Sequence, residues 1–134
     1  MPALEKNIGV EILDLSYNYM GDEIATYIAK IISSQSERRD NVAWLAGLRT
    51  EEPTDEYYKA GLQSLVLRYN DFGNYVCGEI SRVLFFDIYF KSIDLRNNLI
   101  EKEGVKDMCY FLKSNKTLLN CDLRHNPGLI NKLH

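Results

Sequence analysis

The sequence is poor in cysteine and has no long hydrophobic run. Its three cysteines are odd in number and form no Cys-x-x-Cys pair, which argues against a disulfide framework and a zinc site. No stretch of about 20 apolar residues is present, so no membrane-spanning helix is predicted. The first residues, Met1 to Lys6, lack the basic and then apolar pattern of a secretory signal. These absences predict a cytoplasmic protein in a reducing compartment.

The sequence also lacks an excess of positive charge and any catalytic motif. The formal net charge of −3 provides no basic surface for nucleic acid or acidic lipids. The two histidines, His125 and His134, belong to no H-E-x-x-H motif, and the sequence contains neither G-x-S-x-G nor a phosphate-binding glycine loop. Cys77, Cys109 and Cys121 fall where small hydrophobic side chains are expected to pack. We therefore predict no catalytic residue, no metal and no cofactor.

One pattern occurs four times along the chain. Each copy fits L-x-x-L-x-L-x-x-N, the signature of a leucine-rich repeat. The copies end at Asn18, Asn70, Asn98 and Asn126, which are spaced by 52, 28 and 28 residues. A period of 28 is typical of repeats in which each strand returns through a full α-helix. The same register appears throughout the chain and indicates one repeated structural unit.

The apolar residues within each copy alternate, as expected for a strand with one buried face. We predict strands near residues 10–18, 62–70, 90–98 and 118–126. Their inward side chains are Val10, Leu13, Leu15, Leu62, Leu65, Leu67, Phe90, Ile93, Leu95, Leu118, Cys121 and Leu123. The four asparagines are expected to turn inward and bond backbone groups at the strand ends, because a buried unpaired group costs about 1–3 kcal/mol.

Apolar residues three and four apart follow the first three asparagines and predict a helix after each. They are Ile24, Tyr27, Ile28 and Ile31 in the first copy, then Val76, Ile80, Val83 and Leu84, then Val105, Met108, Phe111 and Leu112. Strand–helix units of this kind curve into a horseshoe. The predicted fold is α/β: one leucine-rich-repeat solenoid over residues 1–134, with parallel strands on the concave face, helices on the convex face and one inserted loop.

The first spacing exceeds one period by 24 residues and indicates an insertion at about residues 34–60. Its charged residues and Pro53 favour a loop after a helix that ends near Ile32. The insertion also contains Trp44, the single tryptophan of the chain. Either Trp44 fixes the loop on the solenoid, or it contacts a partner together with nearby arginines, because Trp and Arg are enriched in interface hot spots. These arginines are Arg38, Arg39 and Arg49.

Side chains between the buried leucines face the inside of the horseshoe and form three columns. The columns are Asp14, Val66, Asp94 and Asp122; Ser16, Arg68, Arg96 and Arg124; and Tyr17, Tyr69, Asn97 and His125. Neighbouring strands lie about 4.8 Å apart, so the three arginines need compensating charge. Two sources are open: the adjacent aspartates, as a surface network, or an acidic partner segment such as a tubulin tail, which Arg binds through paired hydrogen bonds. In the second case Tyr17 and Tyr69 add contact area.

The repeats leave little sequence for terminal caps, which solenoids normally need. The first strand begins soon after Met1, and residues 127–134 are all that follow the last strand. We expect either a segment of a longer protein or a component seated against neighbours, and not an isolated monomer.

The repeats resemble the ribonuclease-inhibitor class, and the insertion resembles one family in particular. Its arginine pair, Trp44, Leu48-Arg49 and Pro53 form an R-R-x4-W-x3-L-R-x3-P run, and Ala60-Gly61-Leu62 leads into the next strand. A similar run interrupts the repeats of the family of the centrosomal protein of seventy-eight kilodaltons. Residues 122–127, Asp-Leu-Arg-His-Asn-Pro, resemble that family's last repeat. The resemblance extends over residues 10–130, without the family's early repeats and C-terminal extension.

The resemblance implies a non-catalytic protein–protein interaction scaffold in the centriole, basal body or ciliary axoneme. Its partners would be centriolar or axonemal proteins, tubulin among them, and neither nucleic acid nor membrane. Soluble alternatives stay open at this point: a regulatory binder similar to ribonuclease inhibitor or to GTPase-activating repeat proteins, or a ubiquitin-ligase adaptor.

Overall fold

A computed structural model describes residues 2–50 and 60–129 of the chain. Four parallel strands form one sheet in chain order: β1 (Ile12–Asp14), β2 (Ser64–Val66), β3 (Ser92–Asp94) and β4 (Asn120–Asp122). The helices are α1 (Pro2–Lys6), α2 (Ala25–Leu48), α3 (Asn74–Leu84) and α4 (Lys102–Leu112), with 3-10 turns at Asp22–Ile24 and Pro127–Leu129. This alternation confirms the predicted fold class. No helix in the described ranges is long and apolar enough to cross a membrane.

The strands pair in the register that the repeat predicts. Leu65 of β2 lies opposite Leu13 of β1 and Ile93 of β3, and Ile93 lies opposite Cys121 of β4. Equivalent residues of successive copies are therefore neighbours across the sheet. Because strand side chains alternate between the two faces, one column of the sheet enters the core and the next faces outward.

The core is most completely buried in the two central copies. Leu65 and Ile93 have exposed fractions of 1% and 0%, whereas Leu13 and Cys121 at the same position in the outer strands are half-buried. A central strand has a neighbour on each side, and an outer strand has one within the described sheet. Burial of apolar area stabilises the fold by about 25 cal/mol per Å², so the central copies contribute the larger share.

The asparagines that end the second, third and fourth copies connect each of these copies to the preceding one. The Asn98 side-chain oxygen accepts the backbone N–H groups of Asn70 (3.0 Å) and Phe72 (3.2 Å), and its amide donates to the carbonyls of Leu67 and Leu95 at 2.9 and 3.0 Å. Asn70 and Asn126 make the equivalent bonds to the copies before them, and Asn18 bonds carbonyls of its own copy. These bonds satisfy backbone groups where the chain leaves the sheet.

Side chains at the helix starts connect adjacent helices. Asp22 Oδ1 accepts the N–H of Gly73, immediately before α3, at 2.9 Å. Asn74 Oδ1 accepts the N–H groups of Glu101 and Gly104, at the start of α4, at 2.8 and 3.1 Å. The first N–H groups of a helix have no partner within that helix. Here the preceding copy provides the acceptor, so the starts of α3 and α4 are each capped by a side chain of the copy before.

The inserted segment departs from the prediction, because its described part is not a loop. Helix α2 does not end near Ile32 but continues to Leu48, over 24 residues. Residues 33–48 contain no proline and include good helix formers such as Ala43 and Ala46, so the helix has no local reason to stop. Pro53, which favoured a loop, lies outside the described residues. Tyr27, assigned to the apolar stripe, is 55% exposed.

The hydrogen-bond pattern changes after the fourth asparagine. In the third copy the residue after the asparagine, Leu99, donates its N–H to the carbonyl of Phe72 at 2.8 Å. Pro127 has this position in the fourth copy and has no N–H to donate. Gly128 instead donates to the carbonyl of Ile100 at 2.8 Å. A Cβ on Gly128 would lie 2.8 Å from the backbone nitrogen of the residue at 102, so the turn packs directly against the start of α4.

Candidate binding surface

The concave face carries the three columns that the repeat predicts. Its exposed large hydrophobic side chains lie over the first two strands, where Tyr17 is 64%, Tyr69 43% and Ile12 66% exposed. Arg124, at the other edge, has a side chain that is 65% exposed. Among the outward side chains of the strands themselves, Ser64 and Ser92 are half-buried. The larger exposed aromatic surface therefore lies over the first two strands.

The third and fourth copies each hold an aspartate–arginine fork. Arg96 donates from Nε to Asp94 Oδ1 at 3.0 Å and from Nη2 to Asp94 Oδ2 at 2.9 Å. Arg124 makes the same pair of bonds to Asp122, at 3.0 and 2.7 Å. Asp122 also lies 3.4 Å from Nε of Arg96, which links the two strands. The adjacent aspartates thus compensate these two arginines, as the first of the two interpretations requires.

These forks shift the pKa values of the groups that form them. The hydrogen bond from Arg124 is the main cause that lowers the pKa of Asp122, and the bond to Asp94 raises the pKa of Arg96. The pKa of Asp14 is lowered chiefly by the hydroxyl of Ser16, with help from the Ser16 N–H at 2.9 Å. Each shift favours the charged form, so the columns stay charged near neutral pH.

Tyr17 and Tyr69 form an aromatic stack across the first two strands. Their ring centroids are 4.5 Å apart and their planes are within 10° of parallel. Both residues have a left-handed backbone, with φ of 62° and 55°, as do Asn97 and His125 at the same position, with φ of 58° and 63°. This conformation costs an ordinary residue about 1–2 kcal/mol. This cost arises in the turn that directs the following asparagine inward.

The second half of α2 is anchored by buried polar contacts. Gln35, which is 1% exposed, donates to the carbonyls of Leu4 and Asn7 at 2.8 Å each and so holds α1 against α2. Arg39, which is 0% exposed, donates from Nε to the carbonyl of Ala60 at 3.1 Å. Arg38 donates to the same carbonyl. The helix therefore holds the point where the insertion returns to the repeats.

Arg39 was predicted as a partner contact, and its burial makes that assignment wrong. Its guanidinium lies 5.2 Å from the ring centroid of Tyr89, whose hydroxyl donates to Asp40 at 2.6 Å. Burial, followed by the charge of Arg38, lowers the pKa of Arg39. Gly61, with φ of 122°, fits beside these side chains where a Cβ has no room. The Arg-Arg pair thus fixes the insertion to the solenoid.

Trp44 lies on the surface of α2, beyond that anchor. It is 66% exposed, and Leu45 and Leu48 next to it are 45% and 64% exposed. Trp44 borders an open groove of about 640 Å³ lined by charged and polar residues of α1 and α2, among them Glu5, Glu37 and Asp40. Its ring is accessible to a partner, and the role of Trp44 stays a proposal.

The three cysteines differ in their surroundings. Burial raises the pKa of Cys77 to about 12 and that of Cys121 to about 12. Cys109 was predicted to pack, but it is exposed on α4 because its position on the helix faces outward. In the ranges the structure describes, no group of three or more His, Cys, Asp or Glu side chains is placed to hold a metal ion.

Two features of the surface were missed in the sequence. Phe85 and Phe86 follow the last buried residue of α3 and pack edge to face, with centroids 4.9 Å apart, and Phe86 is 79% exposed. With Tyr110 of α4 they border a convex groove of about 320 Å³. The adjacent pair of phenylalanines after an apolar stripe was the available signal. The second feature is the consequence of Val66 in the aspartate column: it leaves Arg68 without the aspartate that precedes Arg96 and Arg124 on their own strands.

Residues 6–29 match the family model described as Leucine Rich repeat. The four-stranded parallel sheet extends that register to β4. This chain is a leucine-rich-repeat protein. Among solved structures its fold is similar to that of leiomodin-1 actin-binding site 2, with a TM-score of 0.67 over 93% of this chain and 60% of that chain. The sequence identity is 12%, so this similarity concerns the fold alone.

The leucine-rich-repeat protein is also distantly similar in sequence to the centrosomal protein of 78 kDa. The mouse and human proteins are each 32% identical over 104 residues, which is 77% of this chain. The Xenopus tropicalis protein is 35% identical over 94 residues, or 69% of this chain. The matched region spans 13%, 15% and 13% of the length of these relatives.

Proposed function

We propose that this leucine-rich-repeat protein is a non-catalytic protein-binding scaffold of the centriole, basal body or ciliary axoneme. The observation that carries the proposal is its similarity, over 77% of its length, to the centrosomal protein of 78 kDa. The similarity concerns a small part of those relatives, so the proposal is limited to binding within the same cytoskeletal assembly and assigns the chain a centriolar or axonemal partner, tubulin included.

The concave face is the proposed binding surface. It presents the stacked Tyr17 and Tyr69 beside Arg68, and further along the arginines of the two forks, Arg96 and Arg124. Aromatic and arginine side chains dominate the energy of many interfaces. A rigid sheet holds these side chains at fixed spacing, which limits the entropy lost when a partner binds.

A second contact on the convex side is proposed at Trp44. The side chain is exposed, whereas Arg39 is enclosed and Arg38 is engaged with Ala60. Trp44 and the concave columns lie on different elements, α2 and the sheet. A scaffold with two separate contact surfaces can connect two neighbours, which suits a part built into a larger assembly.

The first test is the location of the tagged, endogenously expressed chain in a ciliated cell, before and after detergent extraction. The proposal expects signal at basal bodies or along axonemes that remains after extraction, with the tag alone as the control. A diffuse signal that is lost on extraction contradicts it. Co-purification of one soluble enzyme, or of a ubiquitin ligase, would then favour the regulatory binder or the adaptor.

A further inference from the structure

Arg68 differs from the other two arginines of the concave face. Arg96 and Arg124 each bond an aspartate two residues earlier on their own strand. The equivalent position before Arg68 is Val66. In the described chain Arg68 makes no hydrogen bond to a carboxylate, and its one ion-pair partner is Asp94, whose Oδ2 lies 3.4 Å from Nε. Asp94 is itself held in the fork with Arg96.

The remaining nearby aspartate does not replace the missing one. Asp14 faces the β2 column from the adjacent strand, but its carboxylate accepts the N–H of Ser16 at 2.9 Å and forms no ion pair with Arg68 within 4 Å; the charge of Arg68 is the smallest of the causes that act on the pKa of Asp14. The Ser16 hydroxyl in turn accepts the backbone N–H of Arg68 at 3.0 Å. The first copy has the aspartate without the arginine, and the second copy has the arginine without the aspartate.

We propose that Arg68 and the Tyr17–Tyr69 stack form a site that binds a carboxylate from an acidic segment of a protein partner. The proposal rests on the role of the concave face given above as a binding surface. The partner's carboxylate supplies to the terminal nitrogens of Arg68 the negative charge that Asp94 and Asp122 supply to their arginines in the third and fourth copies. Val66 is the residue that leaves this place open.

Charge and geometry both favour a carboxylate. The column of Arg96 and Arg124 already holds planar carboxylates in two-bond forks on the same face, and arginine binds this group in that geometry. The side chain of Arg68 is 34% exposed and its Nε is buried, so a partner reaches it through the terminal nitrogens of the guanidinium. The tyrosine stack lies next to it and offers ring faces and hydroxyl donors to the residues flanking the acid.

The test uses the whole chain and a fluorescein-labelled ten-residue peptide of alternating glutamate and tyrosine. Fluorescence anisotropy at low salt measures its affinity, and a glutamine–tyrosine peptide is the neutral comparison. We expect Arg68→Ala and Val66→Asp each to weaken binding about tenfold, because each removes the available guanidinium. Arg82→Ala removes the same formal charge from α3, away from the concave face, and is expected to change affinity by less than about twofold.

Val66→Asp is expected to fold, because aspartate already occupies this position in the third and fourth copies. It therefore tests the proposal even if Arg68→Ala does not fold. Urea unfolding confirms that Val66→Asp is folded. The proposal is overturned if Val66→Asp binds as the wild type does, if Arg82→Ala loses as much affinity as Arg68→Ala, or if the wild type does not distinguish glutamate from glutamine. Stronger competition by inorganic phosphate than by acetate would also overturn it, in favour of a phosphate ligand.

Location in cells and peptide binding together distinguish a failure of this site from a failure of the proposed function. If the Val66→Asp chain stays at centrioles as the wild type does, the scaffold role stands and the carboxylate site does not. If the wild type is diffuse in cells but binds the acidic peptide with the expected variant pattern, the site stands and the centriolar role does not.

Discussion

The side-chain oxygen of Asn98 accepts the backbone N–H of Asn70 at 3.0 Å, so the asparagine of one copy supports the asparagine of the copy before it. Asn126 does the same for Asn98 at 3.1 Å. Both acceptors are buried, with exposed fractions of 4% and 0%. The copies are thereby joined by directional bonds as well as by packing, and the spacing of the concave columns follows from those bonds.

Replacement of Asn98 with alanine is expected to be strongly destabilising. It removes the acceptor for the N–H groups of Asn70 and Phe72, and both lie in the buried turn. Each buried group left without a partner costs about 1–3 kcal/mol, so the free energy of unfolding should fall by about 3 kcal/mol, measured by urea denaturation. Asn18→Ala is the control, because its side chain is exposed, and a loss below about 1 kcal/mol is expected. Equal losses of unfolding free energy in the two variants would contradict the stabilising role of the buried asparagine bonds.

Replacement of Gly128 with alanine tests the turn after the last asparagine. The added Cβ would meet the backbone of Glu101 and lie 2.8 Å from the backbone nitrogen of Lys102. A backbone cannot yield as a flexible side chain does, so we expect a loss of about 1–3 kcal/mol in unfolding free energy. Gly47→Ala is the matched control, since nothing lies within 4 Å of its new Cβ. It should stabilise α2 by up to about 1 kcal/mol.

The repeat was sufficient to predict the sheet but not the insertion. The leucines and asparagines of each copy are fixed by the period, and Leu65 pairs with Ile93 as the 28-residue spacing requires. The predicted end of α2 near Ile32 was wrong: Pro53 and the charged residues favoured a loop, but residues 33–48 contain no proline and the helix continues to Leu48. No repeat pattern exists there, and contacts such as Arg39 with Ala60 depend on where the chain returns.

The cysteines should separate into one fast and two slow thiols at pH 8. Cys109 is exposed, whereas burial raises the pKa of Cys77 and of Cys121 to about 12. The thiolate is the reactive form, so an aromatic disulfide reagent should modify one equivalent quickly and the other two after unfolding. Cys109→Ser should remove the fast phase. Fast reaction of two or three thiols in the native protein would contradict the assigned burial.

The same thiols give the pH dependence of stability a definite sign. A cysteine in the unfolded chain has a pKa of about 8.5, and the pKa of Cys77 in the folded chain is higher, at about 12. The folded state therefore holds this proton more tightly. Its contribution to the free energy of unfolding is complete below about pH 8.5 and is lost as the pH rises towards 12. The free energy of unfolding, measured with urea, should decrease from pH 7 to pH 9 and pH 10. The decrease should be smaller in Cys77→Ala, once the stability that this variant loses to its cavity is subtracted.

Removal of Trp44 should leave the fold intact. Its side chain is 66% exposed, so Trp44→Ala should change the unfolding free energy by less than about 0.5 kcal/mol. Tyr89→Phe is the comparison, because it deletes the buried hydroxyl bond to Asp40 and should cost about 1 kcal/mol. A loss of unfolding free energy above about 1 kcal/mol in Trp44→Ala would mean that the ring fixes the inserted segment on the solenoid and is not free for a partner.

The arrangement of side chains on the proposed binding surface could be predicted in outline, and their pairing could not. The columns containing Arg68, Arg96 and Arg124 follow from strand alternation alone. Which arginines are paired with an aspartate depends on the geometry of the forks. The sequence indicates the unforked arginine through one residue, Val66, which stands in the aspartate column. The burial of Arg39 could not be predicted from its position in a charged run, because its contacts come from residues 21 to 50 positions later in the chain.

The most direct test of the account combines location with the concave face. Endogenously tagged wild type, a Tyr69→Ala/Arg68→Ala variant and a convex-face control, Tyr110→Ala, are compared in detergent-extracted ciliated cells. Tyr110 is 71% exposed and lies on α4, away from the sheet. The account predicts that the wild type and Tyr110→Ala remain at basal bodies or axonemes and that the concave variant is extracted. Retention of the concave variant at wild-type level would contradict the claim that this face holds the protein in place.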